Sequence, residues 1–412
     1  MYLQGSKENA FHMSTLTEPA GKKRIESIDI LRGVIMLIMA LDHTRDFFHI
    51  GGPTSDPTNM ATTTPILFFT RWITHFCAPN FVFLSGISAY LAGTRRTKSE
   101  LSGFLIKRGI WLVFVEVVLL TLAFTLNPLY NDIILQVLWV IGLSMIILGL
   151  LVRTPLWLIG AIGAVIFFGH DILDYVAVPK SGAAMVLDRL FFTARGTVLP
   201  LNQTHVVFDL YAIIPWTGVM LLGYAFGQIY TNTFDPARRK KILLYTGLGA
   251  LGVFLVLRIF NHYGDPNPWE TQRNGVITFL SFLNVSKYPP SLMYSLLTIG
   301  TGLVVLAFTE KVKTRVTDVF ITYGNVPFLY YVLHFYVIRG ISVIVFFAQG
   351  FDTDQIVDPK HQNPFLFNPP GFGFHLFGVY VVWLIVIILL YWPCRWFSNY
   401  KKTHNQWWLS YL

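Results

Sequence analysis

Four ionisable side chains interrupt an otherwise apolar stretch near the start of the chain. Residues 24–43 read RIESIDILRGVIMLIMALDH and include Asp29, Arg32, Asp42 and His43. At 100° per residue, Asp29, Arg32 and His43 fall on one narrow stripe of a helix. In a bilayer this stripe must face a protein interior, because exposure of ionised groups to lipid is costly. The stripe therefore indicates a functional site inside a membrane protein.

Two imidazoles are candidates for acid–base chemistry. At 1.5 Å per residue, His43 lies about 22 Å from the start of the first apolar segment. His75 lies near the corresponding end of the next segment, so the two rings are expected at similar depth. Imidazole can take a proton from an attacking amine or hydroxyl, and Asp42 or Asp46 could orient it. The alternative for His75 is a hydrogen-bonded packing residue.

Arg32 lies at the opposite end of the same stripe. A buried guanidinium there suits the phosphates or the thioester carbonyl of a donor. His43 lies eleven positions further along, or about 16 Å along one face, which is comparable to the reach of a pantetheine arm. The alternative is a buried Asp29–Arg32 ion pair that only ties helices together.

Further polar residues fall within or beside apolar segments. Glu116 lies mid-segment and needs a partner such as Arg32, or it is protonated. Lys287 and Tyr288 directly precede two prolines, which fix the backbone and hold both side chains in place. The remaining candidates for contact with a donor or acceptor are Asp29, Arg45, Arg71, Asn80 and His334.

The composition excludes an ordinary soluble enzyme. Of 412 residues, 54% are hydrophobic and only 13% are charged, which indicates a polytopic membrane protein. The net charge of +9 comes from basic clusters in short loops, so it reports topology and not nucleic-acid binding. The two cysteines predict neither a disulfide framework nor a metal site, and no metal is expected.

Ten segments are long enough to span a bilayer. They lie near 28–48, 73–93, 104–126, 133–152, 155–173, 209–230, 242–260, 289–309, 324–347 and 374–392. Every basic cluster falls on the same side if both termini are cytoplasmic. The predicted fold is therefore an all-α integral membrane protein of about ten transmembrane helices.

The loops on the opposite, outer side are mostly long, near 49–72, 174–208, 261–288 and 348–373. Such loops commonly bind polar ligands, although tolerated insertions are the alternative. The sequence predicts three parts: a disordered cytoplasmic tail (1–23), a polytopic membrane domain (24–396) and a cytoplasmic C-terminal tail (397–412).

Several motifs in order resemble one family. Arg32, ten residues and His43 match the Arg-x10-His signature of the transmembrane acyltransferase superfamily. The stretches 28–33 (IDILRG), 77–86 (CAPNFVFLSG), 287–292 (KYPPSL) and 330–334 (YYVLH) resemble its heparan-α-glucosaminide N-acetyltransferase-like branch, particularly the bacterial members.

This resemblance implies a membrane acyltransferase that moves an acetyl group from cytosolic acetyl-CoA to a sugar amine or hydroxyl on the outer side. It also implies a catalytic histidine in the early outer region, where His43, His49 and His75 all lie. The implied partners are the lipid bilayer and a glycan or amino-sugar acceptor, with a homodimer left open. If the source is bacterial, the location is the inner or plasma membrane.

A transporter or glycan exporter is the rival class, because the same stripe could relay protons or bind a sugar. Against it, no internal repeat relates the two halves of the chain. A membrane sensor without catalysis is a third alternative.

Overall fold

The computed structural model describes residues 25–411 except 53–55, 177–178, 180, 194–196, 358–362 and 405. The predicted N-terminal tail, 1–23, lies outside the described residues. The described α-helices are α1 (Glu26–Phe48), α2 (Pro65–Trp72), α3 (Cys77–Gly93), α4 (Lys98–Phe114), α5 (Thr121–Thr125), α6 (Val137–Leu151), α7 (Leu156–Gly169), α8 (Gly182–Asp188), α9 (Ile213–Phe226), α10 (Pro236–Phe260), α11 (Gly275–Leu283), α12 (Leu292–Thr309), α13 (Arg315–Gly324), α14 (Pro327–Ala348) and α15 (Leu376–Thr403).

Short helical turns extend several of these helices. Ile73–Phe76 joins α2 to α3, and the wider π-helical turn Val115–Leu120 joins α4 to α5. His170–Tyr175 and Gly227–Tyr230 continue α7 and α9. The last helix, α15, runs past the predicted boundary at 396, because the helical backbone continues to Thr403.

Helices occupy all ten places where the sequence predicts a span. Within the described part of the chain, six helical stretches are long and apolar enough to cross a membrane. They are Pro65–Gly93, Leu156–Tyr175, Pro236–Phe260, Leu292–Thr309, Pro327–Ala348 and Leu376–Thr403. The chain is thus a mostly helical integral membrane protein. The number ten and the orientation stay predictions.

α1 is the central helix of the bundle and packs against α3, α12, α13, α14 and α15. Its closest neighbour is α13, because a Cβ added at Gly33 would collide with the backbone carbonyl of Phe320. A Cβ at Gly324 would likewise collide with the backbone of Asp29. This central position explains how a helix with so many charged residues stays folded, since protein and not lipid surrounds it.

One small sheet departs from the all-α prediction. The strands are β1 (Asp132–Leu135), β2 (Thr197–Pro200) and β3 (Val206–Asp209), in the order β1-β3-β2. β1 pairs in parallel with β3, and β2 pairs with it antiparallel. The prediction that a span begins at 133 is therefore wrong at its start, because the first apolar residues form β1 and α6 begins only at Val137.

Candidate functional site

The predicted stripe of α1 faces a row of cavities. Arg32 and Met36 line the first cavity, of about 270 Å³, near the start of the helix. Met39 and His43 line the second cavity, of about 260 Å³, two turns further along. The stripe thus points into the protein, as its pattern predicts.

The first cavity combines basic side chains with apolar walls. Arg32, Arg108 and Lys401 contribute its basic groups, from α1, α4 and α15. The Arg32 guanidinium also donates to the hydroxyl of Ser88 and lies 3.6 Å from Asp29. Three basic side chains at one mouth suit an anionic ligand, above all one that carries phosphates.

The second cavity adjoins the first. Phe81, Val137 and Tyr331 line both, so these three side chains form the boundary between the two spaces. Beyond them the wall becomes polar at Asp42 and His43. A ligand that reaches from one space into the other must pass these apolar side chains.

A third and larger cavity, of about 690 Å³, opens beyond the second. Asp46, Arg71, Lys287 and Tyr288 line both of them. Many polar side chains line the third cavity, including His75 and the long-loop residues Asp56, Asn267, Asn284 and Ser286. This composition suits a hydroxyl-rich ligand.

The carboxylate of Asp42 lies at the centre of a charge cluster. Arg45 donates to its Oδ1 at 3.0 Å, and Arg71 donates to its Oδ2 at 2.8 Å. Lys287 Nζ lies 3.7 Å from the same Oδ2. Arg45 also pairs with Asp46. The predicted binding residues Arg45, Arg71 and Lys287 are therefore brought together around Asp42.

His43 lies among aromatic rings on one side of the second cavity. Its ring centroid is 4.4 Å from that of Phe335 and 5.4 Å from that of His334. The carboxylate of Asp46 approaches Nδ1 of His43 to 3.9 Å, and the described residues give that nitrogen no hydrogen bond. Of the two carboxylates considered for orienting His43, Asp46 is the one within ion-pair distance, while Asp42 is held by the cations.

The other two predicted histidines occupy different surroundings. His334 lies beside His43, and its Nδ1 donates to the carbonyl of Tyr330 at 3.1 Å. His75 lines the third cavity instead of the second and is buried against Tyr294, whose hydroxyl donates to the His75 carbonyl. His43 and His334 thus form a pair, whereas His75 belongs to the outer space of the row.

Two predicted binding residues make structural contacts and line none of the three cavities. The Asn80 side chain donates to the carbonyls of Phe76 and Thr298, which ties α3 to α12. Glu116 accepts the backbone N–H groups of Gln136, Leu138 and Trp139. Its carboxyl group therefore caps the start of α6, and the partner foreseen for it, Arg32, lies in the first cavity.

The segment that carries Lys287 and Tyr288 is fixed by a buried arginine. Arg258 donates to the carbonyls of Ser281 and Asn284 at 2.9 and 2.7 Å. These carbonyls lie at and just beyond the end of α11, where a helix leaves its last acceptors unsatisfied. The guanidinium therefore locks the backbone just before Lys287.

Asp209, at the end of β3, lies next to Leu210 and Tyr211, which line the second cavity. Its carboxyl group is fully buried, and one oxygen accepts the backbone N–H of Tyr211. Burial raises the pKa of Asp209 to about 7. We therefore expect this carboxyl group, beside the site, to titrate closer to neutral pH than an exposed aspartate does.

Sequence reasoning missed several cavity residues. They are Cys77, Arg108, Tyr211, Tyr331 and Lys401. In the sequence, Arg108 and Lys401 look like ordinary basic residues near helix ends. Only the packing of α1, α4 and α15 brings them close to Arg32. A signal existed for Tyr331, since it belongs to the YYVLH stretch.

In the described ranges of the chain, no group of three His, Cys, Asp or Glu side chains could hold a metal ion.

Apolar helices around a row of cavities that contain charged side chains define an integral membrane protein with an internal site. The chain belongs to the heparan-alpha-glucosaminide N-acetyltransferase catalytic family, whose family model matches residues 24–257. The predicted resemblance to this branch is confirmed, while the likeness to its bacterial members stays a prediction, and the chain is a membrane protein of acyltransferase type. The matched range contains Arg32, His43 and Glu116, while Lys287 and His334 lie beyond it. No match to a curated protein was found.

Proposed function

We propose that this protein transfers an acetyl group from cytosolic acetyl-CoA to a sugar amine or hydroxyl on the outer side of the membrane. The row of three adjoining cavities along α1 is the observation that carries this proposal. Along α1 the basic first cavity comes first, then the apolar boundary, then His43, and finally the third cavity. Transfer from a donor to an acceptor requires a donor site, a catalytic group and an acceptor site in this order.

The first cavity is the proposed donor site. Arg32, Arg108 and Lys401 would pair with the phosphates of acetyl-CoA, because guanidinium and ammonium groups bind phosphate strongly. The pantetheine arm would pass the apolar boundary at Phe81 and Val137. Eleven helical residues span about 16 Å, which brings the thioester to the level of His43.

His43 is the proposed general base. Its ring would remove the proton from the acceptor amine or hydroxyl as that atom attacks the thioester carbon. Asp46, 3.9 Å from Nδ1, would orient the ring and stabilise the imidazolium that forms. The acceptor sugar would occupy the third cavity, with His75 among its contacts.

The proposed orientation places the first cavity toward the cytoplasm. Both termini would then be cytoplasmic, with ten spans and every basic loop on the same side. A cell envelope location follows, with the plasma membrane as the site in a bacterium.

The test is acetyl transfer by the purified protein in detergent, with acetyl-CoA and glucosamine as substrates. We expect release of free CoA. His43→Ala should lower the rate by roughly 10²–10⁴-fold and still bind acetyl-CoA, because a general base contributes about that factor. His75→Ala, the matched control, should retain a measurable rate.

Two results would contradict the proposal. A folded parent protein that neither binds acetyl-CoA nor releases CoA would favour a transporter instead. A His43→Ala protein that transfers at the parent rate would remove His43 from the chemistry.

A further inference from the structure

The ammonium group of Lys287 lies at the boundary between the second and third cavities. Its side chain is 9% exposed, and Nζ lies 3.7 Å from Asp42 and 5.1 Å from the ring of Tyr288. Among the described residues no acceptor lies within hydrogen-bond distance of Nζ. A lysine ammonium carries three N–H donors, so donors remain for a ligand in either cavity.

The charges around Asp42 do not balance. Arg45, Arg71 and Lys287 supply three positive charges, against two carboxylates, Asp42 and Asp46. Both arginines make shorter contacts with Asp42 than Lys287 does. Of the three cations, Lys287 is therefore the one held least closely by a carboxylate. Retention of a surplus buried charge is unfavourable unless an anion comes to meet it.

The backbone beside Lys287 is held firmly. The carboxyl group of Asp265 accepts the backbone N–H and the hydroxyl of Ser286, both at 2.8 Å, and the hydroxyl of Ser291 at 2.7 Å. Ser291 in turn caps α12 through the N–H of Tyr294. Donors fixed in advance stabilise developing charge most effectively, since little reorganisation is needed during the reaction.

We propose that Lys287 is a catalytic residue that stabilises the oxyanion formed during acyl transfer. This inference rests on the proposed function. The acceptor nitrogen or oxygen forms a bond to the thioester carbon and passes its proton to His43. The carbonyl π electrons move onto oxygen, where the charge faces Lys287. When the carbonyl re-forms, the carbon–sulfur bond breaks, and the CoA thiolate takes the proton from His43.

The alternative is that Lys287 only donates to a hydroxyl group of the acceptor. The two alternatives predict different rates of acetyl-CoA hydrolysis when no acceptor is present. Water can then attack the thioester, and this hydrolysis passes through the same oxyanion. A residue that only binds the acceptor has no effect on hydrolysis.

The experiment compares Lys287→Met with the parent, with and without glucosamine. Loss of one oxyanion donor typically lowers kcat by about 10²–10³-fold. We expect that loss in both hydrolysis and transfer, with acetyl-CoA binding unchanged. Lys287→Arg, which keeps the charge, should restore part of the rate. Lys402→Met, which changes an exposed lysine on α15, is the matched control and should behave as the parent.

Each other outcome has a distinct meaning. Unchanged hydrolysis with a raised KM for the acceptor would overturn the oxyanion role and assign Lys287 to acceptor binding. Parent-like kinetics of Lys287→Met in both reactions would overturn any role at the site. A parent protein without hydrolysis or transfer would instead overturn the proposed function.

Discussion

The cap that Glu116 places on α6 allows one prediction to be worked out in detail. Oε2 accepts the N–H groups of Leu138 and Trp139 at 2.9 and 3.2 Å, and Oε1 accepts that of Gln136 at 3.2 Å. Glu116→Ala removes all three acceptors. A buried donor without a partner costs about 1–3 kcal/mol, and the lower figure applies where water can enter the space left behind. The expected loss in the free energy of unfolding is therefore roughly 3 kcal/mol.

Glu116→Gln should cost less, because its amide oxygen can keep the bonds from Leu138 and Trp139. Only the N–H of Gln136 then meets an amide NH₂, so the expected loss is about 1–2 kcal/mol. The matched control is Glu270→Gln, which changes an exposed carboxyl group.

Thermal unfolding in detergent, followed by tryptophan fluorescence, measures these differences. At roughly 2–4 °C per kcal/mol for larger domains, Glu116→Ala should lower Tm by about 6–12 °C. The KM for acetyl-CoA should rise as well, because Val137 and Leu138 line the cavities. If Glu116→Ala unfolds at the parent temperature, the carboxyl group does not hold α6 and this reasoning is refuted.

Three further predictions concern the donor, the pH response and the topology. Arg32→Lys should weaken acetyl-CoA binding by roughly 10–100-fold, because a charge-assisted hydrogen bond contributes about 1.5–3 kcal/mol; unchanged affinity in a calorimetric titration would mean that Arg32 only ties helices together. The pKa of Asp209 is about 7 in the folded state, against 3.8 for an ordinary aspartate. The folded state therefore holds this proton more tightly than the unfolded state does. The free energy of unfolding of the parent should fall as pH rises from about 4 to about 7. Asp209→Asn should lack this part of the slope in Tm measured against pH, and identical slopes would show that Asp209 does not titrate as the structure implies. Finally, with the native cysteines removed, a cysteine at Asp354 should react with an impermeant maleimide on intact cells and one at Lys313 should not, whereas the reverse pattern would invert the proposed orientation.

The central helix was predictable because its pattern has only one physical solution. A stripe with Asp29, Arg32 and His43 cannot face lipid, so it must face protein, and the structure places its side chains along the cavities. Lys287 could be singled out for a similar reason, since two prolines after it restrict the backbone.

Other features depend on contacts between distant segments. The sequence shows that Glu116 needs a partner but not that backbone N–H groups of α6 supply it. Asn80 likewise satisfies carbonyls on two helices, which no spacing rule reveals. The predicted span near 133–152 includes residues 133–135 of β1, because a short apolar run does not distinguish strand from helix.

The cluster around Asp42 also restricts how this site can change in evolution. Loss of Asp42 alone would leave Arg45, Arg71 and Lys287 facing one another with Asp46 as the remaining carboxylate, an arrangement that should be strongly destabilising. Loss of Lys287 first would instead leave two cations and two carboxylates, which balance. Descendants of this sequence that abandon the chemistry are therefore expected to lose the lysine before the aspartate, and the reverse order should be rare.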